Sequence, residues 1–568
     1  MKNIVKIIIV VCLVLLNASC SLDENVYTQA DESYIVDAEM AESVLLGVYR
    51  KLTMDDGVYR LNLSMLFAMP TDEAKVEGSS LTAQRTEGSN AYTASSTYVQ
   101  QSWQALYSAV YNANYFLEMI ERKAGTFPEE DREVCDIYVA EARALRGLIY
   151  FELVRWFGNV PLIKSTEDSY LPAEEFVQAD PKDVYEFIEE DLKYAVENLP
   201  YAMADEVRDS NSFRFSKGAA LGLLSKVYAT WAGYPIRDTS KWELAAETAE
   251  TLVKSGEHSL LSDFEQLWYN AGNNIWDPAE SLIEMSYYSP MATNESSGRV
   301  GNFNGVRAQS GGLAGGNHSH SAFFRVNCTF LTGWKDWEND KRWELSFADY
   351  QYASTGKQNM VQKRIDGVLT DITFKMAWDE ATPSWDESWR SLYALHLFAR
   401  KWDTEVYVDE SKRLVDNNYT NVNWYVLRYA DVLLLYAEAL NEVNQGPTAE
   451  AYEAVNMVRR RGFGLAYAAP DEMADLASGL SYEDFQQAVR DERSYELAFE
   501  GNRRQDLIRW GIYYETVANT YRNLTSWSNT APDYYLAGIY TKKNKHELLP
   551  IPQREMDLCP QFKQNPGW

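Results

Sequence analysis

A strongly apolar segment, RYADVLLLYAEALNEV from Arg428 to Val443, constrains the fold of this chain more than any other stretch. Its apolar residues surround the helical axis and leave no broad polar face, which is the pattern of a helix buried among other helices. A Gly446-Pro447 turn follows, and TAEAYEAVNMVRRRGF then gives a second helix with small residues on one face. The segment therefore predicts a helical hairpin.

The same pattern recurs earlier in the chain. A second hairpin is predicted between residues 216 and 256, from SKGAALGLLSKVYATWAG and KWELAAETAETLVKSG. As in the first hairpin, apolar residues are followed by a tyrosine and an alanine, and alanines follow the turn. Two more helix pairs are predicted before them, between residues 37 and 123 and between residues 133 and 200. Helical hairpins of about 34 residues with small residues at the crossing are typical of tetratricopeptide repeats, which stack side by side. We therefore predict a mainly α fold, a tetratricopeptide-like helical-hairpin solenoid of about four pairs.

A segment of different character interrupts the repeats between residues 260 and 422. Gly, Asn and Ser cluster from residue 294 to 320, and LIEMSYYS, from Leu282 to Ser289, alternates in the manner of a strand. Nine of the 17 tryptophans fall in this segment. We predict a large loop-rich, partly β insertion that forms the ligand-binding half, between an N-terminal helical region (37–259) and a last hairpin with a C-terminal framework segment (423–568).

The N-terminus has the features of an export signal. Lys2 and Lys6 precede an apolar run, and small residues precede Cys20. Residues 1–19 are predicted to be a lipoprotein signal peptide, with Cys20 as the lipidation site and residues 20–36 as a lipidated linker. Ser21-Leu22-Asp23-Glu24, directly after Cys20, resembles the acidic tag that sends lipoproteins to the outer face of the outer membrane, and an acidic linker would look the same. The resemblance implies a lipid-anchored protein of the outer membrane that faces the cell exterior.

Charge and cysteine content exclude several classes of function. The formal net charge of −30 would repel nucleic acids and anionic membrane surfaces. Three thiols, Cys135, Cys328 and Cys559, remain in the mature chain without zinc spacing, and they are expected to be buried singly, although one disulfide is possible.

Several stretches together resemble the SusD/RagB family of surface nutrient-binding lipoproteins. They occur in the family's order, and they are EARALRGLIYFELVRWFGNVPLI (Glu141 to Ile163), RYADVLLLYAEALNEV, AVNMVRRRGF (Ala454 to Phe463), DERSYELAFEGNRRQDLIRWG (Asp491 to Gly511) and LLPIPQREMDLCPQFKQNPGW (Leu548 to Trp568). The resemblance implies a tetratricopeptide scaffold, an irregular ligand-binding half and a SusC-like TonB-dependent outer-membrane transporter as partner. It names no substrate.

Candidate ligand residues come from the insertion and from the long polar loop before residue 102. Sugars stack their C–H faces on aromatic rings, and their hydroxyls bond to Asn, Asp, Arg or Gln side chains. The residues that offer this mixture are Arg85, Tyr92, Trp276, Asn302, Phe303, Arg307, Trp334 and Trp337. His318 and His320 lack the further ligands of a metal site, so neither metal nor cofactor is expected.

Charged residues at helical spacing could instead be catalytic. Glu492, Glu496 and Glu500 lie near several arginines, which would keep carboxylates ionised and favour structural ion pairs over a general acid. We therefore predict a non-catalytic protein that binds oligosaccharides for polysaccharide utilisation. The alternatives are a RagB-like protein that takes up peptides and an all-α glycoside hydrolase.

Overall fold

The computed structural model describes residues 35–54, 56–204, 213–289, 297–309, 319–380, 384–385, 396–414, 419–527 and 531–568. The predicted signal peptide, Cys20 and His318 lie outside these residues.

Helices dominate the described chain, as predicted. In chain order they are α1 (Ala38–Thr53), α2 (Thr97–Lys123), α3 (Glu129–Phe157), α4 (Pro181–Asn198), α5 (Lys217–Ala232), α6 (Lys241–Ser255), α7 (Phe264–Asn273), α8 (Cys328–Thr332), α9 (Lys341–Ser346), α10 (Thr404–Tyr407), α11 (Tyr429–Asn444), α12 (Ala449–Gly462), α13 (Tyr482–Glu496), α14 (Arg503–Arg509), α15 (Tyr513–Trp527), α16 (Leu536–Tyr540) and α17 (Gln553–Leu558). The pairs α1–α2, α3–α4, α5–α6 and α11–α12 stack in that order, because α2 packs on α3, α4 on α5 and α6 on α11. The predicted solenoid of four hairpins is confirmed.

The hairpin that begins at Arg428 lies in the middle of this packing. Helix α11 contacts α5, α6, α12 and α13, and the side chains of Val432, Leu433 and Leu434 are fully buried. The insertion therefore separates the third and fourth hairpins in sequence but not in space.

Capping residues fix where several helices begin. The side chains of Asp37, Ser96, Asp180 and Ser216 accept hydrogen bonds from backbone N–H groups in the first turns of α1, α2, α4 and α5. A helical break lies at Gly501, between α13 and α14, and its φ of +77° suits glycine. A Cβ at this position would lie 2.7 Å from the carbonyl oxygen of Ser64.

Replacing Ser216 with alanine should lower the free energy of unfolding by about 1 kcal/mol, because an N–H group of α5 would lose its partner. Chemical denaturation would measure the change. Ser240 is the matched control, since it precedes α6 but its side chain makes no capping bond. An equal loss in Ser240→Ala would contradict the capping explanation.

Strands occur as six two-stranded antiparallel pairs in the described residues. They are β1 (Ala74–Val76) with β3 (Phe324–Val326), β2 (Ser281–Met285) with β12 (Trp424–Arg428), β4 (Phe347–Ala348) with β11 (Phe398–Ala399), β5 (Tyr350–Ala353) with β6 (Gly356–Asn359), β7 (Gln362–Ile365) with β8 (Val368–Asp371), and β9 (Trp378–Asp379) with β10 (Ser384–Trp385). The predicted strand at Leu282 is confirmed as part of β2. The pair β2–β12 places the two ends of the insertion side by side beneath α11.

The insertion has an aromatic core that is continuous with the helices. Trp402 stacks on Trp424 with ring centroids 5.5 Å apart, and Trp268 meets Trp402 edge-on at 5.2 Å. These three rings are each at most 2% exposed. Much of the tryptophan of this segment therefore packs the interior.

Two further features concern the cysteines and the apolar content of the helices. Cys135, Cys328 and Cys559 are buried and unbridged, as expected. Among the helices of the described residues, none has the length and apolar content needed to span a membrane.

Candidate functional site

A buried ion network joins the insertion to α13. Its members are each at most 3% exposed, and they are Glu280, Arg342, Lys401, Arg428, Arg461, Glu492, Glu496 and Glu500. Glu496 lies at its centre, with Nη2 of Arg461 at 2.6 Å, Nη1 of Arg428 at 2.9 Å and Nη1 of Arg342 at 3.1 Å. The predicted structural ion pairs of this helix are confirmed.

The charge state of Glu496 follows from these contacts. Burial alone would raise the pKa of its carboxyl, but Arg461, Arg428 and Arg342 outweigh burial and hold the pKa at about 2. A general acid needs a proton to donate near neutral pH, so this carboxylate is suited to holding elements together and not to proton transfer.

The acidic residues Asp431 and Glu438 of α11 have the same role. Asp431 accepts hydrogen bonds from Arg493 at 2.7 Å and from Lys226 at 2.9 Å, and Glu438 accepts one from Arg509 at 2.6 Å. These bonds tie α11 to α5 and to the segment that contains α13 and α14.

Two of the predicted ligand residues lie in the protein interior. Tyr92 is 2% exposed and stacks on Trp568, with ring centroids 5.1 Å apart. Trp334 is also 2% exposed, stacks on Tyr495 at 4.4 Å and donates a hydrogen bond from Nε1 to Asp340. Neither ring offers a free face to a ligand in this arrangement.

Three more predicted residues are also buried. Trp276 meets Phe213 edge-on at 5.3 Å. Asn302 donates to the carbonyl oxygen of Ser319 at 3.1 Å, and Phe303 packs on Phe323 at 5.6 Å. Asn302 and Phe303 support the surface described below from underneath.

The other three predicted residues, Arg85, Arg307 and Trp337, are partly exposed but do not form one site. Trp337 belongs to an aromatic cluster with Trp343, Trp378 and Trp385. Arg85 lies instead on the early polar loop, where its guanidinium donates to the carbonyl oxygen of Glu77. A ligand role for the eight residues stays a prediction, and the structure groups only Arg85, Asn302, Phe303 and Arg307 in one region.

That region is where the early polar loop meets the insertion through β1–β3. We call it the junction surface, and its residues are Asp56, Gln84, Arg85, Tyr98, Arg299, Phe323 and Tyr419. The three aromatic side chains are neither fully buried nor fully exposed. Flat ring faces beside arginine and amide groups are the combination that sugars require.

Contacts within the junction surface hold its rings in place. The guanidinium groups of Arg299 and Arg60 lie over the Tyr419 ring, 4.1 and 4.9 Å from its centroid, and Nη2 of Arg299 donates to the Tyr419 hydroxyl at 3.2 Å. Tyr419 therefore positions Arg299, and the rings left for stacking are those of Tyr98 and Phe323. Gln84 hydrogen-bonds to the Tyr98 hydroxyl, whose pKa is raised by burial and by Glu87. The backbone carbonyl of Phe323 accepts from the Glu77 N–H at 2.8 Å. A ligand would therefore meet a largely preformed surface.

Sequence reasoning missed Tyr98, Phe323 and Tyr419. Tyr98 stands at the end of the polar loop, just inside α2, and Phe323 directly follows the Gly-, Asn- and Ser-rich stretch. An aromatic residue beside a long polar loop is the signal that could have identified both.

The structure describes only one residue of the candidate metal pair. His320 is 5% exposed, and its Nδ1 lies 3.2 Å from Oγ1 of Thr404. Among the described residues, no group of three or more His, Cys, Asp and Glu side chains is arranged to hold a metal ion.

Comparisons with known proteins agree with the architecture. A family model described as "SusD family" matches residues 330–568, and one described as "Starch-binding associating with outer membrane" matches residues 22–229. A SusD homolog from Bacteroides thetaiotaomicron VPI-5482 is 50% identical, with a TM-score of 0.88 over 94% of this chain and 98% of that one.

More distant relatives cover most of the chain as well. A laminarin-binding SusD-like protein is 24% identical, with a TM-score of 0.65 over 94% of this chain and 100% of its own. SusD-like protein P25 of Formosa agariphila is 25% identical over 475 residues, which are 81% of this chain and 77% of that protein. Full-length similarity at 50% identity, with the same helical scaffold and insertion, shows that this chain belongs to the SusD/RagB family.

Proposed function

We propose that this protein is a non-catalytic, lipid-anchored glycan-binding protein that captures oligosaccharides at the junction surface. The observation that carries the proposal is the grouping of Tyr98, Phe323 and Tyr419 with Gln84, Arg85 and Arg299 on one preformed surface. Rings of this kind stack on sugars, while arginine and amide side chains bond to the hydroxyls.

Two further observations support binding over catalysis. A relative with the same fold is described as laminarin-binding. Glu496, one of the candidates for a catalytic pair, is held ionised by Arg461, Arg428 and Arg342, whereas a glycosidase needs one carboxyl with a raised pKa.

The family suggests how capture would serve uptake. We propose that Cys20 carries the lipid, that residues 20–36 link it to the domain, and that the helical solenoid covers a SusC-like transporter of the outer membrane. Co-purification of the transporter with the native protein would support this arrangement, and a transporter that imports the glycan equally well without the protein would contradict it.

Replacing Tyr98 or Phe323 with alanine should weaken glycan binding about twofold to tenfold each, because one stacking contact contributes about 0.5–1.5 kcal/mol. Binding to a panel of plant, algal, fungal and host polysaccharides would be measured by isothermal titration, with the chain from residue 21 onward. Tyr540→Ala is the matched control, since Tyr540 is an exposed aromatic residue outside the junction surface.

The same panel separates the competing functions. Saturable binding of glycans without products supports the proposal, and formation of shorter sugars would identify a hydrolase. Saturable binding of peptides alone would identify a RagB-like peptide carrier. Unchanged affinity in both Tyr98→Ala and Phe323→Ala would remove the junction surface as the binding site.

A further inference from the structure

A group of basic side chains lies at the edge of the junction surface, where β1 pairs with β3. We call it the basic cluster, and its residues are Lys75, Arg307, Arg325 and His396. Lys75 and Arg325 are 3% and 4% exposed, whereas Arg307 and His396 are partly exposed. The cluster is the more notable because the whole chain has a formal net charge of −30.

The strand register places like charges opposite each other. In the antiparallel pair β1–β3, Lys75 is the direct partner of Arg325. Like charges in this position destabilise a ladder, and burial adds a desolvation cost to each charge. A structural pair of strands would gain by placing a carboxylate opposite one of these cations, so packing alone does not account for the choice of residues.

The carboxylate of Glu77 offsets part of this charge. Glu77 accepts a hydrogen bond from Nη2 of Arg325 at 2.7 Å, and its side chain is 38% exposed. Phe398 covers the other side, with the Arg325 guanidinium 4.7 Å from its ring centroid. These two contacts fix the orientation of the Arg325 guanidinium, whose Nη2 points toward the partly exposed Glu77.

Burial and neighbouring positive charges lower the pKa values of two members of the cluster. Burial and then the charges of Arg325, Lys75 and Arg307 lower the pKa of His396, and Glu77 raises it by less. Burial lowers the pKa of Lys75 to about 8, Cys328 raises it by less, and the charge of Arg325 makes a smaller lowering contribution. Within the described residues, the buried Nδ1 atom of His396 has no hydrogen-bond partner.

We infer that the glycan bound at the junction surface is anionic, with a carboxylate or sulfate group that lies against Arg307 and His396 in the field of Lys75 and Arg325. The inference rests on the proposed function and narrows its substrate class to uronate-containing or sulfated oligosaccharides. The overall negative charge does not prevent this, because charges farther than about 8 Å are largely screened at physiological salt.

Paired probes test the inference. Oligogalacturonate would be compared with its fully methyl-esterified form, and a sulfated galactan oligosaccharide with its desulfated form, by isothermal titration at low and high NaCl. The charged member of at least one pair should bind about tenfold tighter or more than its neutral form, as a charge-assisted hydrogen bond requires. Its affinity should fall with added salt, and the pair that binds identifies the anionic group.

Variants then locate the site. Arg307→Gln should weaken binding of the charged probe about tenfold and leave thermal unfolding unchanged, while Arg307→Lys should keep most of the affinity. Arg364→Gln is the control, because Arg364 is an exposed arginine of the same insertion that bonds only locally, to the carbonyl oxygen of Gly367.

The outcomes distinguish this inference from the proposed function. Equal or tighter binding of neutral glycans overturns the inference and leaves the function intact, whereas no binding to any glycan overturns both. If Arg307→Gln does not change the affinity for the charged probe, the proposed position of the anionic group is wrong. If Arg307→Gln fails to fold, salt-independent binding by the natural protein would still overturn the inference.

Discussion

Replacing Glu496 with glutamine should lower the free energy of unfolding by about 3–5 kcal/mol, which is the usual cost of removing one partner from a buried ion pair. The carboxylate is fully buried and bonds to Arg461, Arg428 and Arg342. Glutamine keeps the shape but removes the negative charge, so excess positive charge would remain in the interior. Urea or guanidinium denaturation would measure the loss.

Glu483→Gln is the matched control for this experiment. Glu483 lies in the first turn of the same helix, α13, and its side chain is exposed. Its replacement should change the free energy of unfolding by less than ~0.5 kcal/mol. Losses of the same size in both variants would mean that helix propensity, and not the ion network, sets the effect.

Replacing Glu284 with glutamine should stabilise the protein at pH 8 by about 1–3 kcal/mol and have little effect at pH 4. Glu284 lies in β2, where Oγ of Ser281 donates to Oε2 at 2.7 Å and Nδ2 of Asn423 donates to Oε1 at 2.8 Å. Burial raises the pKa of its carboxyl from 4.5 to about 7 in spite of these bonds.

The sign of the pH dependence follows from the pH range in which folded and unfolded Glu284 bind a proton. Between pH 4.5 and 7 the folded protein keeps the Glu284 proton and the unfolded chain has lost it, so this residue's contribution to stability falls as pH rises through that window. Glutamine resembles the protonated form at every pH and lacks this penalty. Thermal unfolding from pH 4 to 8 would show the difference between variant and natural protein increasing with pH.

Glu410→Gln serves as the control, since Glu410 belongs to the same insertion and its side chain is exposed. It should leave the pH dependence of unfolding unchanged. A constant difference between Glu284→Gln and the natural protein at every pH would contradict a buried, protonated Glu284.

The helical scaffold could be predicted because its signals are local. The apolar pattern of α11, the Gly446-Pro447 turn and the capping residues Asp180 and Ser216 each lie within one hairpin. Packing within a hairpin then follows from the short connections of α5–α6 and α11–α12, and such hairpins bury their apolar faces by stacking on one another. The ion pairs of α13 were predictable for a similar reason, as charges at helical spacing lie on one face.

The junction surface could not be predicted in the same way. Its residues come from three segments, and β1–β3 brings Ala74 next to Val326. The number of tryptophans in the insertion did not identify the binding surface, because tryptophan is used both for core packing and for ligand contact. Trp334 illustrates this: its stacking on Tyr495 and its bond to Asp340 are invisible without tertiary contacts.

Closure of the insertion by β2–β12 makes the intervening chain an exchangeable cassette. Met285 and Trp424 are direct register partners, so a replacement has to span only neighbouring strand ends. Loop closure entropy rises slowly with length, and the segment can therefore lengthen or shorten at little cost to the helices. The exceptions are the parts of the insertion that contact the scaffold. Arg342 and Lys401 complete the ion network of Glu496 and Glu500, Trp334 and Trp402 stack on Tyr495 and Trp424, and β3 pairs with β1. A graft that brings a new ligand preference should retain these contacts and vary the loops between them.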